Sequence, residues 1–134
     1  MAGYSPTPLV QKLGIKPGAR LLFVGAPAGY ARTLGALPPG VVPVKILRGP
    51  LDFVQFFTTS RNALETKFAA LAKALAPAGM LWVSWPKKAA KVETDVTEEV
   101  VRAIALKGGL VDVKVCAVDD VWSGLKLVRR LKDR

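Results

Sequence analysis

The chain has 134 residues, 51% hydrophobic, 22% charged and 7% aromatic, the make-up of one globular domain spanning 1–134 rather than of a disordered chain. Twenty Lys and Arg stand against ten Asp and Glu, giving +10 and a pI near 10.1, and histidine is absent. That absence excludes Ser-His-Asp and Cys-His nucleophile activation and every His-containing zinc site, and the single Cys116 excludes an intrachain disulfide or a multi-cysteine metal cluster.

Residues Met1 to Pro8 are polar and proline-rich, with no apolar leader pattern, and Leu71 to Pro86 is too interrupted to supply the ~20 apolar residues of a span. A lone thiol without a leader leads to the expectation of a cytoplasmic protein. A short helix is expected over Pro8 to Leu13, ended by Gly14, then a turn at Lys16-Pro17-Gly18. Arg20 to Val24 is a continuous apolar run, as in a strand covered on both faces. Gly25 to Gly29 is a tight loop opening a short helix with Tyr30, Leu34 and Leu37 on one side. Strands follow at Val41 to Leu47 and Leu51 to Phe57.

Thr59 or Ser60 is placed to cap a helix whose Leu64, Phe68, Leu71 and Leu75 repeat at helical spacing. Pro77-Ala-Gly79 turns into a strand over Met80 to Trp85. A further helix runs from about Val96 to Lys107, with Asp95 and Glu98 spaced as a capping box. Two alternating strands, Leu110 to Val118 and Trp122 to Leu131, close the chain around a short polar turn and read as an antiparallel hairpin. Strand–helix alternation ending in a hairpin defines an α/β fold: a three-layer, Rossmann-like, mostly parallel sheet with a C-terminal antiparallel hairpin.

Several phrases then carry a resemblance. Leu21-Leu-Phe-Val-Gly25 with Gly29, Leu51-Asp-Phe-Val54, Leu75-Ala-Pro-Ala-Gly79-Met-Leu-Trp-Val83, and Gly109-Leu-Val-Asp-Val-Lys-Val115 with Trp122 to Val128 resemble class I S-adenosylmethionine-dependent methyltransferases. The likeness is to a methyltransferase-like core shortened by about one helix-strand-helix segment after its second strand. More narrowly, Leu81 to Lys87, Val115 to Asp119 and Trp122 to Lys126 resemble a small bacterial family of uncharacterised function. The resemblance implies S-adenosylmethionine as the cofactor to consider, held at Gly25, Pro27, Gly29 and Tyr30. The motif is degenerate. The family's acidic residue two positions before the first glycine is Phe23 here, and Pro27, which has no N–H, replaces the middle glycine. The carboxylate implied at the end of the second strand is absent from Leu47-Arg48-Gly49.

Ligands of such sheets bind beyond the carboxyl ends of the strands. Thr58, Thr59, Ser84, Trp85, Lys87 and Lys88 stand there as candidate ligand or anion contacts: an aromatic beside lysines can stack on a ring and neutralise a phosphate. The competing readings are a hydroxyl cap for Thr58 to Ser60, Trp82 and Trp85 in the core on opposite faces, and a solvated lysine loop. Asp119-Asp120 reads as turn chemistry ahead of a metal site, Cys116 as a buried small hydrophobe, and Tyr4, Ser5 and Thr7 as a candidate lid. No catalytic set and no metal ligand set declares itself.

Charge is uneven. Residues 1–51 hold Lys12, Lys16, Arg20, Arg32, Lys45 and Arg48 without one acid; the tail is basic; Glu93, Asp95, Glu98 and Glu99 cluster. Such a surface suits an acidic partner or nucleic acid, although no RNP-like, KH or zinc-finger pattern accompanies it. The leading expectation is a degenerate methyltransferase-like domain that acts in binding or interaction, without catalysis. The alternatives are an active S-adenosylmethionine-dependent methyltransferase or other nucleotide-cofactor enzyme, and a basic nucleic-acid-binding module.

Overall fold

A computed structural model describes residues 7–134. The elements in order are α1 (Leu9–Leu13), β1 (Arg20–Val24), α2 (Tyr30–Leu34), β2 (Val42–Pro43), β3 (Leu51–Phe57), α3 (Arg61–Ala74), β4 (Leu75–Pro86), α4 (Glu98–Lys107), β5 (Leu110–Ala117) and β6 (Trp122–Arg129). The six strands form one sheet in the order β2-β1-β3-β4-β6-β5. The pairs among β2, β1, β3 and β4 are parallel; β6 runs antiparallel to both β4 and β5.

Alternation along the central strands sorts side chains to two faces, because the strand period is two. Phe53 and Phe57 of β3 and Trp82 of β4 join Val10, Leu13, Tyr30 and Leu34 beneath α1 and α2. Val54, Phe56, Leu81, Val83, Leu125 and Leu127 meet Leu64, Phe68, Leu71, Val101 and Ala105 of α3 and α4 on the other face. This is the three-layer, mostly parallel α/β sandwich with an antiparallel closing pair that the sequence pattern called for.

Three local expectations change. The second strand is two residues long, not seven: Val42 N–H and Val44 N–H donate to Ala19 and Leu21 carbonyls at 2.8 Å, Pro43 between them sits at the outward-facing position an edge strand tolerates, and the pairing with β1 ends at Leu21–Pro43. β4 begins at Leu75, directly after α3, and 76–79 form an irregularity between the Leu51–Leu75 and Phe53–Met80 pairs. Finally, Thr97 caps α4, its hydroxyl accepting from Val100 N–H at 3.2 Å. Asp95, expected in that role, accepts from Arg61 N–H at 2.7 Å and so serves the start of α3. Ser60 caps α3 itself, accepting from Ala63 N–H at 3.1 Å.

Candidate functional site

The first residue of α2 meets β3 and β4 in a buried polar chain. The Tyr30 hydroxyl donates to Gln55 Oε1 at 2.6 Å, and Gln55 Nε2 donates to Ser84 Oγ at 3.1 Å. Gln55 and Ser84 have no solvent exposure and Tyr30 has 5%. Around this chain Phe23, Tyr30, Phe57 and Trp122 stack edge to face, with successive ring centroids 5.6, 4.8 and 5.3 Å apart. Burial pushes the Tyr30 phenol well above its usual value, against the smaller opposing pull of the bond to Gln55. Tyr30 is therefore a neutral donor locked inward.

The glycine loop follows from backbone geometry. Gly25 adopts φ +71°, and a Cβ there would lie 2.9 Å from the Phe57 carbonyl oxygen of the adjacent strand. Gly29, at φ +80°, opens α2, and the Pro27 carbonyl accepts from Tyr30 N–H at 3.1 Å to close the turn before it. Beside the loop lies a groove of about 330 Å³ lined by Phe23, Ala26, Pro27, Tyr30, Leu34 and Leu37, among others. No lining residue carries a charge at neutral pH.

The other expected contact residues do not gather around one cavity. The Thr58 hydroxyl accepts from Ser60 N–H at 3.0 Å and donates to Ser60 carbonyl at 3.2 Å, and its own N–H donates to Ser84 carbonyl. Thr59 is exposed and its carbonyl accepts from Thr94. Ser84 is enclosed by Gln55. Trp85 lies in the core under α3 and α4, 7% exposed and on the face opposite Tyr30, so its ring is not presented for stacking on a ligand. Lys87 donates its N–H to Val121 carbonyl and is half-buried; Lys88 begins an exposed 3-10 turn.

Asp119 accepts from both Val121 and Trp122 N–H groups at 2.8 Å, which is turn chemistry. Burial raises the Cys116 thiol above its usual value despite Lys12 and Lys114 nearby, so the thiolate is disfavoured. Among the described residues no three His, Cys, Asp or Glu side chains come together as a metal would require, and no helix is long and apolar enough to cross a membrane. Of the candidate lid, Thr7 lines a groove of about 450 Å³ with Leu9, Lys12 and Asp119, whereas Tyr4 and Ser5 lie outside the described residues.

Sequence reasoning missed Gln55, Phe57 and Trp122. The signal for Gln55 was present: one amide inside Leu51-Asp-Phe-Val-Gln-Phe-Phe57, a strand otherwise apolar after Asp52, must find buried partners.

This arrangement has a methyltransferase-like Rossmann fold, and comparison with solved structures agrees. The magnesium protoporphyrin IX methyltransferase of Synechocystis PCC 6803 with bound SAM matches 91% of this chain and 74% of its own, with a TM-score of 0.59 and 14% identity. The precorrin-6y C5,15-methyltransferase of Geobacter metallireducens covers 91% and 86%, at TM-score 0.63 and 11% identity. The ribosomal protein L11 methylase of Lactobacillus delbrueckii subsp. bulgaricus covers 91% and 75%, at TM-score 0.60 and 14% identity. No protein-family model matches the chain, and no curated protein matches it by sequence.

That fold implies S-adenosylmethionine, and the residues here do not fit it. The cofactor carries an amino group, a sulfonium and a ribose diol, which call for acceptors and acids. The groove by the glycine loop offers apolar side chains, a proline without an N–H, and a tyrosine whose hydroxyl is committed to Gln55.

Proposed function

We propose that this chain is a methyltransferase-like domain that works by binding a partner, without methyl transfer. The observation that carries the reading is the groove at the glycine loop. It has no charged lining residue, and the Tyr30 hydroxyl is turned away from it into the Gln55–Ser84 chain. Gly25 supports the same reading, since the Phe57 carbonyl accounts for that glycine without a ligand. A charged cofactor group facing such a wall loses roughly 1.5–3 kcal/mol per unmade hydrogen bond.

Thermal melts of the purified chain with millimolar S-adenosylmethionine and S-adenosylhomocysteine test this. A ligand at 100 times its Kd would add about 2.7 kcal/mol, a shift of several degrees for a domain of this size. The expected result is no shift with either. A saturable upward shift would overturn the reading and restore the active-enzyme alternative.

A further inference from the structure

One face of the sheet concentrates positive charge. α1, α2 and the turn with Lys16 are drawn from residues 7–51, which contain no acid. On the same face the hairpin sets Lys114 of β5 directly opposite Lys126 of β6. Lys126 in turn lies beside Trp82 of β4, whose indole N–H donates to the Leu13 carbonyl at 2.9 Å, so the turn after α1 lies over this part of the sheet.

Lys12 of α1 donates to the Ala117 carbonyl at 3.0 Å, and Arg134 Nε donates to the Arg129 carbonyl at 3.0 Å, tying both cations to the hairpin. Lys126 is half-buried, and its ammonium is held below the usual lysine range by burial, then by the charges of Lys114, Lys16 and Arg134. The three ion pairs between described residues, Arg61–Glu65, Arg102–Glu98 and Arg102–Asp112, involve none of these five cations. The acids bordering this face are Asp52, which shares a groove with Lys16 and accepts from Arg20 N–H at 2.9 Å, and Asp119 and Asp120, which share a groove with Lys12; neither groove includes Lys114 or Lys126.

Like charges directly opposite across an antiparallel pair oppose folding. A free anion that bridges Lys114 and Lys126 removes the cost, and no ion pair between described residues joins an acid to either. We infer that this face, formed by Lys12, Lys16, Lys114, Lys126 and Arg134, binds duplex nucleic acid through its phosphates. Every described aromatic side chain is buried or half-buried, so the face has no platform on which to stack unpaired bases. Recognition is therefore of the backbone, independent of sequence. A lipid surface is the weaker match: exposed Val115 pairs with Leu125, whose side chain lies in the core under α3 and α4, and so projects from the opposite face.

The test is the salt dependence of binding to a short mixed-sequence DNA duplex. Each phosphate contact contributes about −0.9 to the slope of log K against log salt. The double variant K114Q/K126Q should flatten the slope by about two while its melting temperature rises, which separates lost contacts from lost folding. K114R/K126R should keep the wild-type slope. K67Q/K73Q, which removes the same charge from exposed positions of α3, should leave it within about half a unit. The inference is overturned if K114Q/K126Q leaves the slope unchanged or if K67Q/K73Q flattens it equally. Binding to phosphatidylserine-rich vesicles without binding to the duplex overturns it too. These measurements contain no cofactor, so their failure is distinct from failure of the melts described above.

Discussion

At the scale of single residues, the interior is governed by the Tyr30–Gln55–Ser84 chain. No buried side-chain polar atom among the described residues lacks a partner, and this chain joins those of α2, β3 and β4. Tyr30→Phe removes one hydroxyl and strands Gln55 Oε1; Gln55→Leu strands both neighbours. Each unsatisfied buried group costs about 1–3 kcal/mol. Denaturant titration should show Gln55→Leu losing more than Tyr30→Phe. The double variant should lose less than the sum, because the two groups share one bond. Additive losses would separate the pair. Gly25 belongs at this scale as well, since both its positive φ and the Phe57 carbonyl demand the absence of a side chain.

At the scale of elements, α3 is held at both ends by residues distant in sequence. Ser60 and Asp95 accept from its first N–H groups, and at its other end Arg129 Nη2 of β6 donates to the Ala72 and Leu75 carbonyls at 2.7 and 3.1 Å. A cation at a helix C-terminus satisfies orphan carbonyls and opposes the negative end of the dipole. Arg129→Met keeps the aliphatic stem and removes both bonds. It should lower stability by about 1.5–3 kcal/mol, read as a lower denaturation midpoint at unchanged m-value. An unchanged midpoint would show that water replaces the guanidinium without loss. α4 is anchored differently: Arg102 bridges Glu98 within the helix and Asp112 on β5. That pairing holds Glu98 and Asp112 on the α3–α4 side, away from Lys114 and Lys126.

At the scale of the molecule, the charge asymmetry makes stability depend on pH at the alkaline end. Lys126 has a folded pKa below its ordinary 10.5, so just under pH 10.5 the unfolded chain binds more protons and stability rises with pH. Tyr30 has a folded pKa above its ordinary 10.0, so its contribution is fully present below pH 10 and is lost as pH rises further. The expected profile rises towards pH 10 and falls beyond it. Lys126→Met should remove the rise and Tyr30→Phe the fall, measured as denaturation midpoints across that range. A flat wild-type profile would contradict both assignments.

The sequence by itself determined the class of fold. The apolar run Leu21–Val24, the largely apolar Leu51–Phe57 broken by Asp52 and Gln55, helical spacing from Leu64 to Leu75, and alternation in the last two strands are one-dimensional records of which faces are buried. Through the resemblance to methyltransferases it also showed Phe23 where that family implies an acid; the second implied acid was sought at Leu47-Arg48-Gly49, but β2 ends at Pro43, so that position is not the strand's end. What it left open depended on contacts between residues far apart in the chain. The destination of the Tyr30 hydroxyl and the burial of Trp85 were settled by packing between elements, as was the exchange of Asp95 for Thr97 at the α4 cap. The charge arithmetic was sharpened in the same way. A total of +10 with an acid-free first 51 residues became a concentrated basic cluster only when β5 and β6 paired in the register that sets Lys114 against Lys126. Local periodicity encodes burial, whereas register and side-chain partnership are fixed by closure of the whole sheet.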